Sequence, residues 1–200
     1  MPQLFLTLLL SLFSAGAVAL DITLLYGSQG GGLLNHIDSD STLELEESPG
    51  RALILGIPYS ADQDLELFYS RQQTRLQGDT MVVPSEDLFD LDIHYLHLGG
   101  TVLSEEYHKL QGFISGGLGL SHFSPALDGV AAENRLSMSL GLGARWMPTK
   151  RVGLRVETRF YGTLFNSNTT IFCSGGCQFT ISGDLLSQYA LFAGLVLRLD

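Results

Sequence analysis

Apolar and polar residues alternate with a period of two through the last third of the chain, from Leu136 to Leu199. Leu136, Met138, Leu140, Leu142, Ala144 and Trp146 share one side of an extended segment, and Ser137, Ser139, Gly141, Gly143 and Arg145 share the other. The alternation resumes with Val152, Leu154, Val156, Thr158 and Phe160 against Arg155, Glu157, Arg159 and Tyr161. It closes with Leu191, Ala193, Leu195, Leu197 and Leu199 against Gln188, Phe192, Gly194 and Arg198. Charged residues therefore sit in the middle of otherwise apolar strands. A water-soluble barrel encloses its apolar side chains and shows its charges to solvent. A barrel in lipid reverses the two faces. The pattern predicts membrane-crossing strands whose charges point inward.

The same reading over the whole chain predicts about eight strands, at 21–34, 43–59, 64–76, 90–103, 109–123, 135–146, 151–165 and 185–199. Short connections (60–63, 104–108, 147–150) alternate with long ones (35–42, 77–89, 124–134, 166–184). Short periplasmic turns and long outer loops produce this rhythm in an all-β, antiparallel, up-and-down transmembrane barrel. An even strand number puts both ends of the barrel wall on the periplasmic side. Register is clear in the last three strands. Strand 90–103 reads equally well either way, and Pro49-Gly50 marks a bulge or the point where strand 43–59 leaves the membrane.

The first residues read as a secretory signal. Leu4 to Phe13 are mostly apolar, and Ala17-Val18-Ala19 fits an A-x-A cleavage site, which predicts a signal peptide at 1–19 and one barrel domain at 20–200. The net charge of −10 excludes nucleic acid as a natural partner, because phosphates are repelled. Asp38, Asp40, Asp79, Glu86, Asp87, Asp128 and Glu133 predict an acidic outer rim. Cys173 and Cys177, the two cysteines, are expected to form a disulfide closing a small loop, with free thiols or half a metal site as the alternatives.

A barrel of this size is filled by its own side chains. The inward candidates are Glu66, Gln111, Arg145, Arg155, Glu157, Arg159, Gln188 and Arg198. Their mixed signs predict an ion-pair network, because an isolated charge is costly to enclose. Glu66 and Glu157 are the expected acceptors. The glycines at 116, 117, 119, 141, 143 and 153 are expected on the inward face, making room for long arginines.

The chain after its signal resembles the small outer-membrane β-barrel domain family, the OmpA/OmpX-type eight-stranded barrels. The resemblance rests on the strand and loop rhythm, the opening Asp21-Ile22-Thr23, the run Ser115-Gly116-Gly117-Leu118-Gly119 and an amphipathic last strand. That strand ends Arg198-Leu199-Asp200, where such barrels usually carry an aromatic residue. The resemblance implies a monomer in the bacterial outer membrane. It also implies contact with lipid and lipopolysaccharide, and the barrel-assembly machinery as partner during biogenesis. It implies no cofactor, no metal and no catalysis.

Two further readings stay open. The inward charges are also those of a narrow ion or small-solute channel. And His122-Phe123-Ser124 is similar to the H-x-S pair of the lipid A deacylase family, outer-membrane barrels with a His-Ser-acid triad. In that reading His122 is the base, Ser124 the nucleophile, and Asp128 or Glu133 orients the imidazole. Pro125 stands where that family has Asn. A soluble lipocalin-like barrel is the remaining rival, and it requires an apolar interior. His94 and His97 are three apart on one strand and face opposite sides, so they cannot share a metal.

Overall fold

The computed structural model describes residues 19–35, 42–80, 83–126, 131–164, 170–172, 178–180 and 185–199. Within them the strands are β1 (Leu20–Gly31), β2 (Leu33–Asn35), β3 (Thr42–Leu45), β4 (Ser48–Pro58), β5 (Gln63–Thr80), β6 (Val83–Leu103), β7 (Leu110–Pro125), β8 (Glu133–Trp146), β9 (Val152–Leu164), β10 (Thr170–Phe172), β11 (Gln178–Thr180) and β12 (Leu185–Leu199). All pairings are antiparallel, and ten strands form one sheet in the order β2-β3-β5-β4-β1-β12-β9-β8-β7-β6. Pairing of β5 with β6 closes that sheet into a barrel of eight staves. Closure leaves no open edge in the wall, so the backbone satisfies its own hydrogen bonds without water. The first and last staves meet in register, Leu20 with Leu199 and Asp21 with Arg198, so both end on the side of the short turns.

The face assignment of the last strands is confirmed. Arg155, Glu157 and Arg159 are enclosed at 3%, 0% and 2% exposure, while Leu154 and Val156 face outward at 43% and 51%. Leu24, Leu98, Ile114, Leu118, Leu136 and Leu142 continue an exposed apolar wall around the barrel. Such a wall is stable only against acyl chains, and the soluble-barrel reading fails on it. Tyr59, Tyr107 and Trp146 stand exposed at the short-turn end, as an interfacial aromatic girdle does.

Strand 90–103 resolves with Leu91, Ile93, Tyr95, His97 and Thr101 inward and Leu96, Leu98 and Val102 outward. Strand 21–34 is interrupted by Gly31 and Gly32, whose φ values of 84° and 105° turn the chain out of β1. Strand 43–59 breaks at Glu46-Glu47, and Pro49 pairs with Ser28 without a bulge near the outer end of the ladder. Residues 77–80 and 83–89 hold strand, where a long loop is expected. Gln77 pairs with Asp87, Gly78 with Glu86 and Thr80 with Val83, with register shifts at Leu76/Gln77 and Gly78/Thr80. β10 and β11 pair inside the expected loop 166–184.

One of the expected placements is corrected. Gly116 pairs with Gly100 and Leu140 and shares the outward face of Ile114 and Leu118. Phe123, at the outer end of the expected strand 109–123, is buried in the lumen, while Tyr189 near the outer end of β12 is exposed. Phe165 lies outside the described residues, as does the side chain of Phe179. So do residues 1–18 of the expected signal, and Asp38, Asp40, Asp128, Cys173 and Cys177.

The turn between β6 and β7 is a tight one, with Tyr107 and Leu110 exchanging backbone hydrogen bonds of 2.9 Å. Its central residues His108 and Lys109 have φ values of 51° and 66°, a left-handed conformation that both pay for with a Cβ. Lys109→Gly should therefore stabilise the barrel by roughly 0.5–1 kcal/mol. Urea unfolding in lipid vesicles measures it.

Candidate functional site

The inward side chains of β1, β5, β7, β8, β9 and β12 converge in the half of the lumen nearer the short turns. They form two linked tiers of charge. In the lower tier Arg145 on β8 reaches Asp64 at 2.8 Å and Asp21 at 3.5 Å, and donates to Gln111 Oε1 at 3.2 Å. Arg198 grips the same Asp21, Nη2 to Oδ2 at 2.7 Å and Nε to Oδ1 at 2.8 Å. In the upper tier Arg155 bridges Glu66 at 2.7 Å and Glu157 at 2.8 Å. Arg159 donates through Nε to Glu157, lies 4.0 Å from Glu66, and donates to Ser139 and Ser115, each at 3.1 Å. The guanidinium of Arg155 lies 4.2 Å over Phe113, and that of Arg159 lies 4.0 Å over Phe68.

Four guanidinium groups thus face four carboxylates. The lumen residues expected from sequence, Glu66, Arg145, Arg155, Glu157, Arg159 and Arg198, are brought together. Asp21 and Asp64 complete the balance and were not anticipated. Asp64 carries its signal in parity, two residues before Glu66 on β5. Asp21 carries it too, since Asp21, Thr23 and Gln29 alternate with Ile22, Leu24 and Tyr26 along β1.

Gly141 is essential to this geometry. A Cβ there would stand 2.3 Å from Ser115 Oγ and 2.8 Å from Glu157 Oε1. The expectation that lumen glycines make room holds here for a carboxylate, with the arginine packed beside it.

Above the charges the filling changes. His97 sits between Ser139 and Ser137, with ring nitrogens 2.9 Å and 2.8 Å from their hydroxyls. Tyr95 and Tyr161 stack with centroids 4.3 Å apart, and Tyr95 donates to Gln188 Oε1. Leu25, Ile54, Phe68, Ile93, Phe123 and Phe192 pack as an apolar cluster. The interior is therefore polar in one half and largely apolar in the other, where a polar plug built on ion pairs is expected from sequence.

His122 and Ser124 do share the outward face; of the two acids expected to orient the imidazole, Asp128 lies outside the described residues and Glu133 does not reach it. Nδ1 of His122 lies 2.8 Å from Asn134 Oδ1. Glu133 is on the opposite face by strand parity and pairs with Arg135 at 2.7 Å. Alternation forces this: Glu133 is one residue from Asn134, so only one of them reaches His122. His94 and His97 face opposite sides as expected, and no group of metal-ligating side chains occurs among the described residues.

An outward polar cluster lies beside His122. Tyr69 Oη is 2.9 Å from His94 Nδ1, His94 Nε2 is 3.3 Å from Asp92, and Arg71 binds Asp92 through Nε and Nη2. Partial burial pushes the Asp92 carboxyl up, but Arg71 and His94 outweigh it and hold the group below the ordinary carboxylate range. A cleft of about 660 Å3 opens at the same end, between Glu46, Glu47, Ser48, Thr74, Asp90 and Pro125.

No protein-family model matches the chain, and no curated protein does. Solved structures do. Neisserial surface protein A superposes with a TM-score of 0.60 at 14% identity, over 90% of this chain and 97% of that one. The outer-membrane protein OprG of Pseudomonas aeruginosa superposes with a TM-score of 0.64 at 8% identity, over 92% and 96%. The fold is that of the small outer-membrane β-barrels. Outer-membrane protein AlkL, determined in lipid bilayers, superposes with a TM-score of 0.56 at 11% identity, over 94% and 93%. Together with the apolar wall, this places the chain in the bacterial outer membrane.

Glu157 is fully enclosed and answers two arginines. Glu157→Gln leaves them undercompensated and should cost about 3–5 kcal/mol. Adding Arg159→Gln should recover part of that loss, as read from urea midpoints of the refolded variants.

Proposed function

We propose that this protein is a non-conducting, non-catalytic outer-membrane barrel whose task is structural or lies in surface contact. The observation that carries this reading is the filled lumen. Arg159, Tyr95, Phe68, Phe192, Ile54 and Ile93 are all enclosed at 2% exposure or less. They come from five different strands and meet in the middle. An ion entering from either end meets paired charges or packed rings, and both would have to be displaced.

Surface contact is supported by the β5–β6 hairpin. Its strands run 18 and 21 residues, against 11 to 16 for the other full staves. At about 3.3 Å per residue, the ladder continues roughly 30 Å along the strand from Arg71 to Thr80, beyond the last exposed apolar residues of that wall. β3 pairs along β5 there, Leu45 with Leu76 and Thr42 with Asp79, so the extension is a small sheet well clear of the lipid surface.

The chain refolded into planar bilayers should show no stepwise conductance above the lipid baseline. Reproducible, ion-selective steps would replace this reading with the narrow channel. For the enzymatic alternative, Ser124→Ala should leave lipid acylation in the outer membrane unchanged.

A further inference from the structure

The first polar row outside the apolar wall runs straight across neighbouring strands. Tyr26 pairs with Arg51, Arg51 with Arg71, Arg71 with His94, His94 with His122, and His122 with Asn134. All six share the parity of the lipid-facing residues. Leu24, Leu53, Tyr69, Leu96, Leu120 and Leu136 lie two residues nearer the membrane centre on the same strands. The row is at the end away from the short turns, so it meets the outer leaflet at headgroup depth.

Its two arginines are directly opposite each other on β4 and β5. Like charges in that relation repel. Arg71 is answered by Asp92, but only through Nε and Nη2, which leaves Nη1 for another acceptor. Arg51 is exposed and has no carboxylate partner among the described residues. Beside it stands Tyr26, 60% exposed. A tetrahedral anion with several acceptor oxygens suits this setting, because an arginine fork binds it with two parallel hydrogen bonds. The apolar wall directly below supplies the place for acyl chains attached to that anion.

We propose that Arg51, Arg71 and Tyr26 form a seat on the outside of the barrel for the phosphate of an outer-leaflet lipid. Arg51 is the principal ligand. Arg71, held in place by Asp92, contributes its free Nη1, and the Tyr26 hydroxyl is the third donor. The seat rests on the membrane assignment and is independent of whether the lumen conducts.

The test uses the full chain in detergent micelles, with lipid retention read by native mass spectrometry. The probes are bis-phosphorylated lipid A, the same lipid stripped of phosphate, and inorganic phosphate. The wild type should retain the phosphorylated lipid about tenfold more than Arg51→Gln. Arg51→Lys should fall between them, and Lys150→Gln at a short turn should match the wild type. Heat-modifiable gel mobility confirms folding in each case; if Arg51→Gln does not fold, Arg51→Lys against wild type decides. Equal retention by wild type and the Arg51 variants overturns the proposal, as does equal retention of the stripped lipid. Displacement by inorganic phosphate at matched concentration also overturns it, because it reports a free-anion site.

Discussion

Four arginines and four carboxylates meet inside the barrel, all enclosed but the part-exposed Arg198 at its end, and the rest of the wall is arranged so that none of them meets lipid. An arginine or lysine on the lipid face near the bilayer midplane costs about 2–4 kcal/mol. Inside, the same charge is compensated only when its partners are in place. Each guanidinium here has at least one carboxylate within 2.8 Å, and Arg155 and Arg159 also have a ring beneath them. Buried ion pairs rarely add net stability over apolar packing. What they add here is register. A slip of one residue in β9 would carry Arg155, Glu157 and Arg159 onto the lipid face together.

That constraint reaches outward through the backbone. Gly141 must lack a side chain because the Glu157 carboxylate fills its place. The wall must close, since lipid offers no hydrogen bonds to an open edge. β5 and β6 complete the closure and then continue past the membrane, with β3 paired along β5. At that boundary the outward side chains change from leucine to arginine, histidine and tyrosine. The lumen is divided as well: ion pairs fill one half, while stacked tyrosines and an apolar cluster fill the other.

The sequence made these features legible to different degrees. The enclosed charges of β9 stood out because their neighbours are leucine, valine and phenylalanine, and only an inverted barrel reconciles the two. Strand 90–103 stayed ambiguous because its inner half faces the apolar cluster. Leu91, Ile93 and Tyr95 inward and Leu96 and Leu98 outward are all hydrophobic, so parity carries no contrast. Asp21 on β1 does have that contrast, with Thr23 and Gln29 on its face and Ile22, Leu24 and Tyr26 on the other. The extension of the β5–β6 hairpin was invisible because residues 77–89 carry glycine, proline and acidic residues, the composition of a loop. The place of Glu133 was not legible because it comes from strand register, which puts Asn134 beside the His122 ring and turns Glu133 away.

The inside-out arrangement is tested most directly by spin labels on β9. Single cysteines at 154 and 156 carry a nitroxide in lipid vesicles, and collision with oxygen is compared with collision with a water-soluble nickel chelate. A third cysteine at 157 is probed with maleimide in the folded barrel. Labels at 154 and 156 should be rich in oxygen contact and shielded from nickel, with the thiol at 157 unreactive until the barrel is unfolded. Nickel-accessible labels at 154 and 156 beside a readily alkylated 157 would contradict the enclosure of the charges.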